Sequence, residues 1–166
     1  DLGATYTPLG QQCQVDSPGL ENPWYALFGS LIYPSGEGLY TIHERKRSDE
    51  LLAHLGHLLE LDADAFWFVV LDNASAHKTA AVTHFAQTHQ AQLELVFLPT
   101  YSPHLNLIER LWRVMRSQLT RNRYFASLSA LAQAAVNWLD AFSFAQFCSL
   151  MGIDELQLSF VPEPFE

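Results

Sequence analysis

Residues 66–71, FWFVVL, form an unbroken apolar run of strand length that stops at Asp72 and gives way to a polar turn, LDNASAHK. A short run rich in aromatic and β-branched residues, with no charge, reads as a strand buried on both faces, as in a parallel sheet. A helical pattern follows at about 76–90, and then a second apolar run, LELVFL, is closed by Pro99. Proline ends such a strand because it carries no backbone donor. Strand, helix and strand in this order make a βαβ unit, and that unit constrains the rest of the chain.

The upstream segments read as consecutive antiparallel strands with short loops. They are ATYT, then WYALFGSLIY between Pro23 and Pro34-Ser35-Gly36, then GLYTI after the Gly36-Glu37-Gly38 turn. Ser48 and Glu50 open ELLAHLGHLLEL as a capped amphipathic helix, with Leu51, Leu52, Leu55, Leu58 and Leu59 on its apolar side. Two more helices are expected near 105–119 and 128–142, the latter with Ser127 or Ser129 as cap. The predicted order is β-β-β-α-β-α-β-α-α, an α/β domain with a mixed sheet. With 49% hydrophobic and 13% aromatic residues, 166 residues suffice for one core. The expected organisation is one domain over 1–142 and a C-terminal tail or extension over 143–166, whose apolar FSFAQFCSLMGI suits packing on the core or on a partner.

Charge narrows the classes further. No eighteen-residue apolar run occurs and no basic stretch precedes an apolar N-terminal segment, which argues against a membrane span and a signal peptide. Cys13 and Cys148 are far apart and match no metal-ligand spacing, so they read as thiols of a reducing compartment. A net charge of −9 excludes a surface that is basic throughout. Yet residues 1–44 and 124–166 contain no Lys or Arg. All nine basic residues fall into the triplet Arg45-Lys46-Arg47, Lys78, and the series Arg110, Arg113, Arg116, Arg121 and Arg123, with no acid between Arg110 and Arg123. A local stripe of this kind suits a phosphate backbone, although a merely solvated helix face would look the same.

Two acids stand out. Asp72 lies where a buried strand ends, the edge at which α/β sheets collect ligands, though an Asp there also starts turns. Glu109 lies in an early turn of a helix built on Ile108, Leu111, Trp112 and Met115, where an acid also favours the helix N-terminus.

The strings VVLDNASAHK and LVFLPTYSPHLNLIERLWRVMRSQL, with their acids 37 residues apart, resemble the DDE endonuclease domain of insertion-sequence transposases related to the mariner group. The similarity extends through YTPLGQQ and FGSLIYPSGEG upstream and NRYFASLSAL downstream, about residues 4–142. The resemblance implies a ribonuclease H-like mixed sheet flanked by helices. It also implies a site in which Asp72, Glu109 and a third carboxylate hold two Mg²⁺ (or Mn²⁺) ions about 3.5–4 Å apart for in-line attack on a phosphodiester. Asn73, His77 and Asn106 fall on the family's motif positions and are expected to orient the site or touch phosphate, with turn and helix-start chemistry as their rival roles. The implied partners are double-stranded DNA, as transposon ends and target, and a second copy in a homodimer. The implied setting is the bacterial cytoplasm, without a membrane. On this reading Arg110, Arg113, Arg116, Arg121 and Arg123 follow the DNA backbone toward the metals.

The chain departs from the family pattern at Thr100 and Leu107, where proline is usual, and at His104, where an acid is frequent. By the same alignment the first-strand Asp is expected to precede residue 1, since Asp1 stands too close to Gly10; a sheet without that strand loses a neighbour beside the strand ending at Asp72. Two other functions therefore stand beside a cleaving and joining transposase: an inactive or domesticated DNA-binding or assembly module, and a ribonuclease H-like nuclease without strand transfer. Zinc on His54/His57 or His84/His89 lacks a completing ligand set, and Asp72, Ser75 and His77 are too close in sequence for a hydrolase triad.

Overall fold

The computed structural model describes residues 25–33, 35–100, 105–121 and 123–152. The strand expected at 4–7, the YTPLGQQ segment, Asp1, Cys13 and the 101–104 loop with His104 lie outside the described residues.

The two strands of the first hairpin, β1 (Ala26–Leu31) and β2 (Gly38–His43), pair antiparallel with Ala26 opposite His43 and Leu31 opposite Gly38. The connection turns at Gly36, whose φ of 75° suits a residue without a side chain. Helix α1 (Ser48–Leu61) follows. Ser48 does not cap it, contrary to the sequence expectation: Arg47 is the N-cap residue, and the Ser48 hydroxyl donates instead to the Ala76 carbonyl at 3.1 Å. Glu50 does act at the helix start, accepting from the Arg47 backbone N–H at 3.0 Å.

Strand β3 (Trp67–Leu71) pairs in parallel with β4 (Leu93–Phe97), Trp67 opposite Leu93 and Leu71 opposite Phe97. The crossover between them is not the single helix expected at 76–90. A 3-10 turn (Ser75–Lys78) comes first, and α2 (Ala80–Thr88) starts afresh with the Thr79 hydroxyl accepting from the Val82 N–H. Helices α3 (Leu107–Leu119), α4 (Leu128–Asp140) and α5 (Phe144–Met151) complete the described chain. Ser127 is the α4 cap, accepting from the Ala130 N–H at 3.1 Å.

The described strands form two separate two-stranded sheets, β1-β2 and β3-β4. Helix α1 ties them together. Its Leu51, Leu55 and Leu58 share one core with Val69, Val82 and Leu93, and Phe28, Ile32 and Leu39 of the hairpin region pack against that core. His54, buried on the same helix, reaches Ser30 Oγ with Nε2 at 3.0 Å and Thr41 Oγ1 with Nδ1 at 2.8 Å, so both hairpin strands are pinned to α1. Burial, helped by the nearby His43 and His57, pushes the His54 pKa down to about 4.

Burial of β3 corrects a second expectation. Only Val69 is buried, while Phe68 and Val70 on the opposite face are 66% and 51% exposed. The strand is covered by the α1 side alone among the described residues, because α3 and α4 pack on the hairpin instead, against β1 and β2 respectively. The anchor of α3 is Trp112. A methyl group on Gly29 of β1 would stand 2.7 Å from its ring, so glycine is what allows the approach. The Trp112 ring meets Tyr40 of β2 edge-on at 6.3 Å, and burial, followed by the charge of Asp140, raises the Tyr40 pKa to about 12. Helix α5 packs on α3, with Phe147 and Cys148 buried.

Candidate functional site

Parallel strands β3 and β4 end side by side: the Leu98 N–H donates to the Leu71 carbonyl at 2.8 Å. Asp72 follows β3 at once, half-buried at this end of the sheet. Its Oδ1 accepts from the Ala74 N–H at 3.1 Å and lies 2.8 Å from Nδ1 of His77. The rival roles considered for Asp72 and His77 are thus both visible, since Asp72 does start a turn, but the turn also aims His77 back at the carboxylate. His77 is held in the 3-10 turn with its side chain only 13% exposed, against 41% for Asp72. The imidazole is therefore the more buried partner, and it fixes one carboxylate oxygen while leaving Oδ2 without a hydrogen bond among the described residues.

Asn73 bridges the two strand ends. Its Nδ2 donates to Thr100 Oγ1 at 3.1 Å, while its Oδ1 is buried with no hydrogen-bond partner. A buried amide oxygen without a donor is costly, on the order of 1–3 kcal/mol, and sites that meet ligands tolerate that cost. Thr100 stands out in the sequence only as a departure from proline. Its hydroxyl is what Asn73 binds, and proline has none. No local signal reveals the pairing, since the partners lie 27 residues apart.

Glu109 is the third residue of α3 and is half-buried. Its backbone N–H donates to the Asn106 carbonyl at 3.1 Å, and its carboxylate forms no hydrogen bond or ion pair among the described residues. Asn106 occupies the N-cap position without a side-chain cap bond. The structure therefore brings Asp72, Asn73, His77 and Thr100 together at the strand ends, whereas no described interaction links Glu109 or Asn106 to them. Carboxylate oxygens are hard donors that fit Mg²⁺ or Mn²⁺ in kind. Among the described residues no three His, Cys, Asp or Glu side chains converge, so these residues do not by themselves complete a three-ligand centre.

The arginines divide. Arg113, Arg121 and Arg123 are exposed without a side-chain hydrogen bond among the described residues. Arg110 donates through Nη1 to the Leu150 carbonyl of α5 at 3.4 Å, and Arg116 through Nε to the Trp112 carbonyl at 3.2 Å. Arg116 also borders an apolar cavity of about 210 Å³ between the hairpin and α3–α4, lined by Leu27, Ile42, Met115, Leu119 and Leu131. The histidine pairs weighed for zinc are engaged differently: both ring nitrogens of His54 meet hydroxyls, and exposed His57 pairs with Glu60 at 3.3 Å. No described helix is long and apolar enough to cross a membrane.

Comparison with known proteins bears on the family and the fold. The chain is 27% identical over 143 residues to the insertion element IS630 uncharacterized 39 kDa protein of Shigella sonnei, an alignment covering 86% of this chain and 41% of that protein. It is 28% identical over 103 residues to the uncharacterized protein y4pE/y4sA of Sinorhizobium fredii, covering 61% of this chain and 73% of the relative. The chain thus spans less than half the length of the Shigella protein. Among solved structures, a chain of the cryo-EM structure of the simian T-cell lymphotropic virus intasome, in complex with PP2A regulatory subunit B56 gamma, matches with a TM-score of 0.56 at 20% identity. That match covers 88% of this chain and 52% of the other, and it identifies the fold as ribonuclease H-like. The family model described as DDE superfamily endonuclease matches residues 1–132, most of the chain, and the chain belongs to that family.

Proposed function

We propose that this chain forms the nuclease domain of an insertion-sequence transposase, with Asp72 and Glu109 as metal-binding carboxylates and DNA phosphodiesters as substrate. The observation that carries the reading is the Asp72–His77 pair at the ends of two parallel strands in a DDE-superfamily chain. His77 Nδ1–H and the Ala74 N–H hold Oδ1, which fixes the carboxylate in direction and leaves Oδ2 to meet a cation. Glu109, in the first turn of α3, supplies a second carboxylate that spends no oxygen on a described protein donor. Asp72 and Glu109 would hold divalent ions, which would supply Lewis acidity for attack on the phosphodiester. Asn73 offers its unpartnered Oδ1 as an acceptor to a donor or a cation, and Arg113, Arg121 and Arg123 offer uncommitted guanidinium groups to the phosphate backbone. Arg110 and Arg116 join them at the expense of one backbone hydrogen bond each. Action as a homodimer on two transposon ends, in the bacterial cytoplasm, belongs to the same proposal.

The test is Mg²⁺-dependent nicking of supercoiled plasmid, followed by strand transfer from pre-cut ends. Asp72→Asn and Glu109→Gln are each expected to lower the nicking rate at least about a hundredfold while preserving the fold. Nicking that survives both substitutions contradicts the assignment, and nicking without joining assigns a nuclease that lacks strand transfer.

A further inference from the structure

The triplet Arg45-Lys46-Arg47 has no part in the reading above, which places DNA along α3. It precedes α1 directly, and all three residues are exposed. The next residue, Ser48, donates its hydroxyl to the Ala76 carbonyl at 3.1 Å. Ala76 sits in the 3-10 turn beside His77, the residue that grips Asp72 at 2.8 Å. The Ser48–Ala76 bond thus places the residue next to the triplet against the turn that carries His77, at the rim of the Asp72 site. Lys78, in the same 3-10 turn, extends over the Phe97 ring at the end of β4, 5.5 Å from its centre, and adds a fourth positive charge to this rim.

The three cations of the triplet form no ion pair with a carboxylate among the described residues although acids flank them. Glu44, Asp49 and Glu50 are sequence neighbours, but both ion pairs among the described residues have histidine as the cation, so no described Lys or Arg is matched to a carboxylate. Glu50 turns one oxygen to the Arg47 backbone N–H instead. In a chain of net charge −9, leaving positive side chains exposed and unpaired beside a site gives an anionic polymer a local foothold.

We propose that Arg45, Lys46 and Arg47, with Lys78, form a second phosphate-binding flank that holds the backbone of double-stranded DNA on the α1 side of Asp72. The proposal rests on the DNA-cutting reading above and adds a binding surface to it. The flank recognises phosphate charge and no base sequence, so its signature is salt dependence.

The experiment is fluorescence anisotropy of a labelled DNA duplex titrated with the chain between 50 and 200 mM salt. Arg45→Gln/Lys46→Gln/Arg47→Gln is expected to reduce the slope of log K against log salt by about 2–3, at about 0.9 for each phosphate that the variant no longer neutralises. Removing three charges also takes the net charge from −9 to −12. A second variant therefore adds Glu60→Gln, Asp62→Asn and Asp64→Asn, which restore −9 at the far end of α1, about 20 Å away at 1.5 Å per helical residue. The proposal expects this variant to remain as flat as the first. It is overturned if the slope is unchanged by the triplet substitution, or returns when net charge is restored. A parallel variant, Arg110→Gln/Arg113→Gln/Arg116→Gln, separates the two claims. If only that variant flattens the slope, the α1 flank fails and the DNA-cutting reading stands; if the parent chain binds no duplex at 50 mM salt, both fall.

Discussion

His77 and His54 show how one side-chain type performs two tasks in this chain. His77 holds Oδ1 of Asp72 through Nδ1, so in the proposed metal site its contribution would be directional: it fixes one carboxylate oxygen and leaves the other for the cation. His77→Leu is expected to weaken Mn²⁺ affinity about 10- to 100-fold by electron paramagnetic resonance titration, and His77→Asn, whose amide can restore a donor, to recover part of it. Equal affinities for the two variants would contradict a positioning role. His54 is instead a structural pin between Ser30 and Thr41. Its folded pKa of about 4 lies below the unfolded value of about 6.5, so the unfolded chain binds more protons between these values. The stability His54 confers is therefore complete above about pH 6.5 and is lost as pH falls from there through about 4, at most roughly 3–4 kcal/mol. Urea unfolding at both ends of that window should show a steeper acid loss for the native chain than for His54→Gln; parallel curves would remove His54 as the cause.

Among the elements, α1 and α3 position the rest. Leu55 is 1% exposed on the face of α1 that meets both sheets, and Leu55→Ala is expected to cost about 2–5 kcal/mol in chemical denaturation. Gly29→Ala tests the α3 docking: the added methyl meets the Trp112 ring, and a loss of about 1–3 kcal/mol with altered tryptophan fluorescence is expected. Because Trp112 stands one turn beyond Glu109, that shift would also move the carboxylate. Most elements are legible in the sequence because their patterns are local: the hairpin strands, α1, β3, β4, α3 and α4 all fall within a few residues of expectation. What is not legible depends on remote partners. The 76–90 pattern splits because Thr79 starts a new helix while the preceding turn bends His77 toward Asp72. The apolar run of β3 gives no hint that Phe68 and Val70 stand exposed, since covering that face depends on where α3 and α4 settle, and they settle on the hairpin. At the site, Asp72 and His77 are readable from one short string, whereas the Asn73–Thr100 bond and the link from Ser48 to Ala76 cross long stretches of sequence.

For the molecule as a whole, fold and family agree: a ribonuclease H-like body, a match to the DDE superfamily over residues 1–132, and an acid at the end of β3 held by a neighbouring histidine. In an acidic chain of net charge −9 the positive charge is segregated into the α3 series and the α1 rim, the two surfaces proposed to meet DNA. The central claim is that Asp72 and Glu109 act on the same divalent ions, and Mn²⁺ titration monitored by electron paramagnetic resonance tests it most directly. The account predicts Mn²⁺ binding that Mg²⁺ displaces, weakened by Asp72→Asn and by Glu109→Gln, with the double variant little worse than the weaker single one, as for ligands of a shared centre. Binding that is unaffected by either substitution, or losses that simply add as for two independent sites, would contradict it.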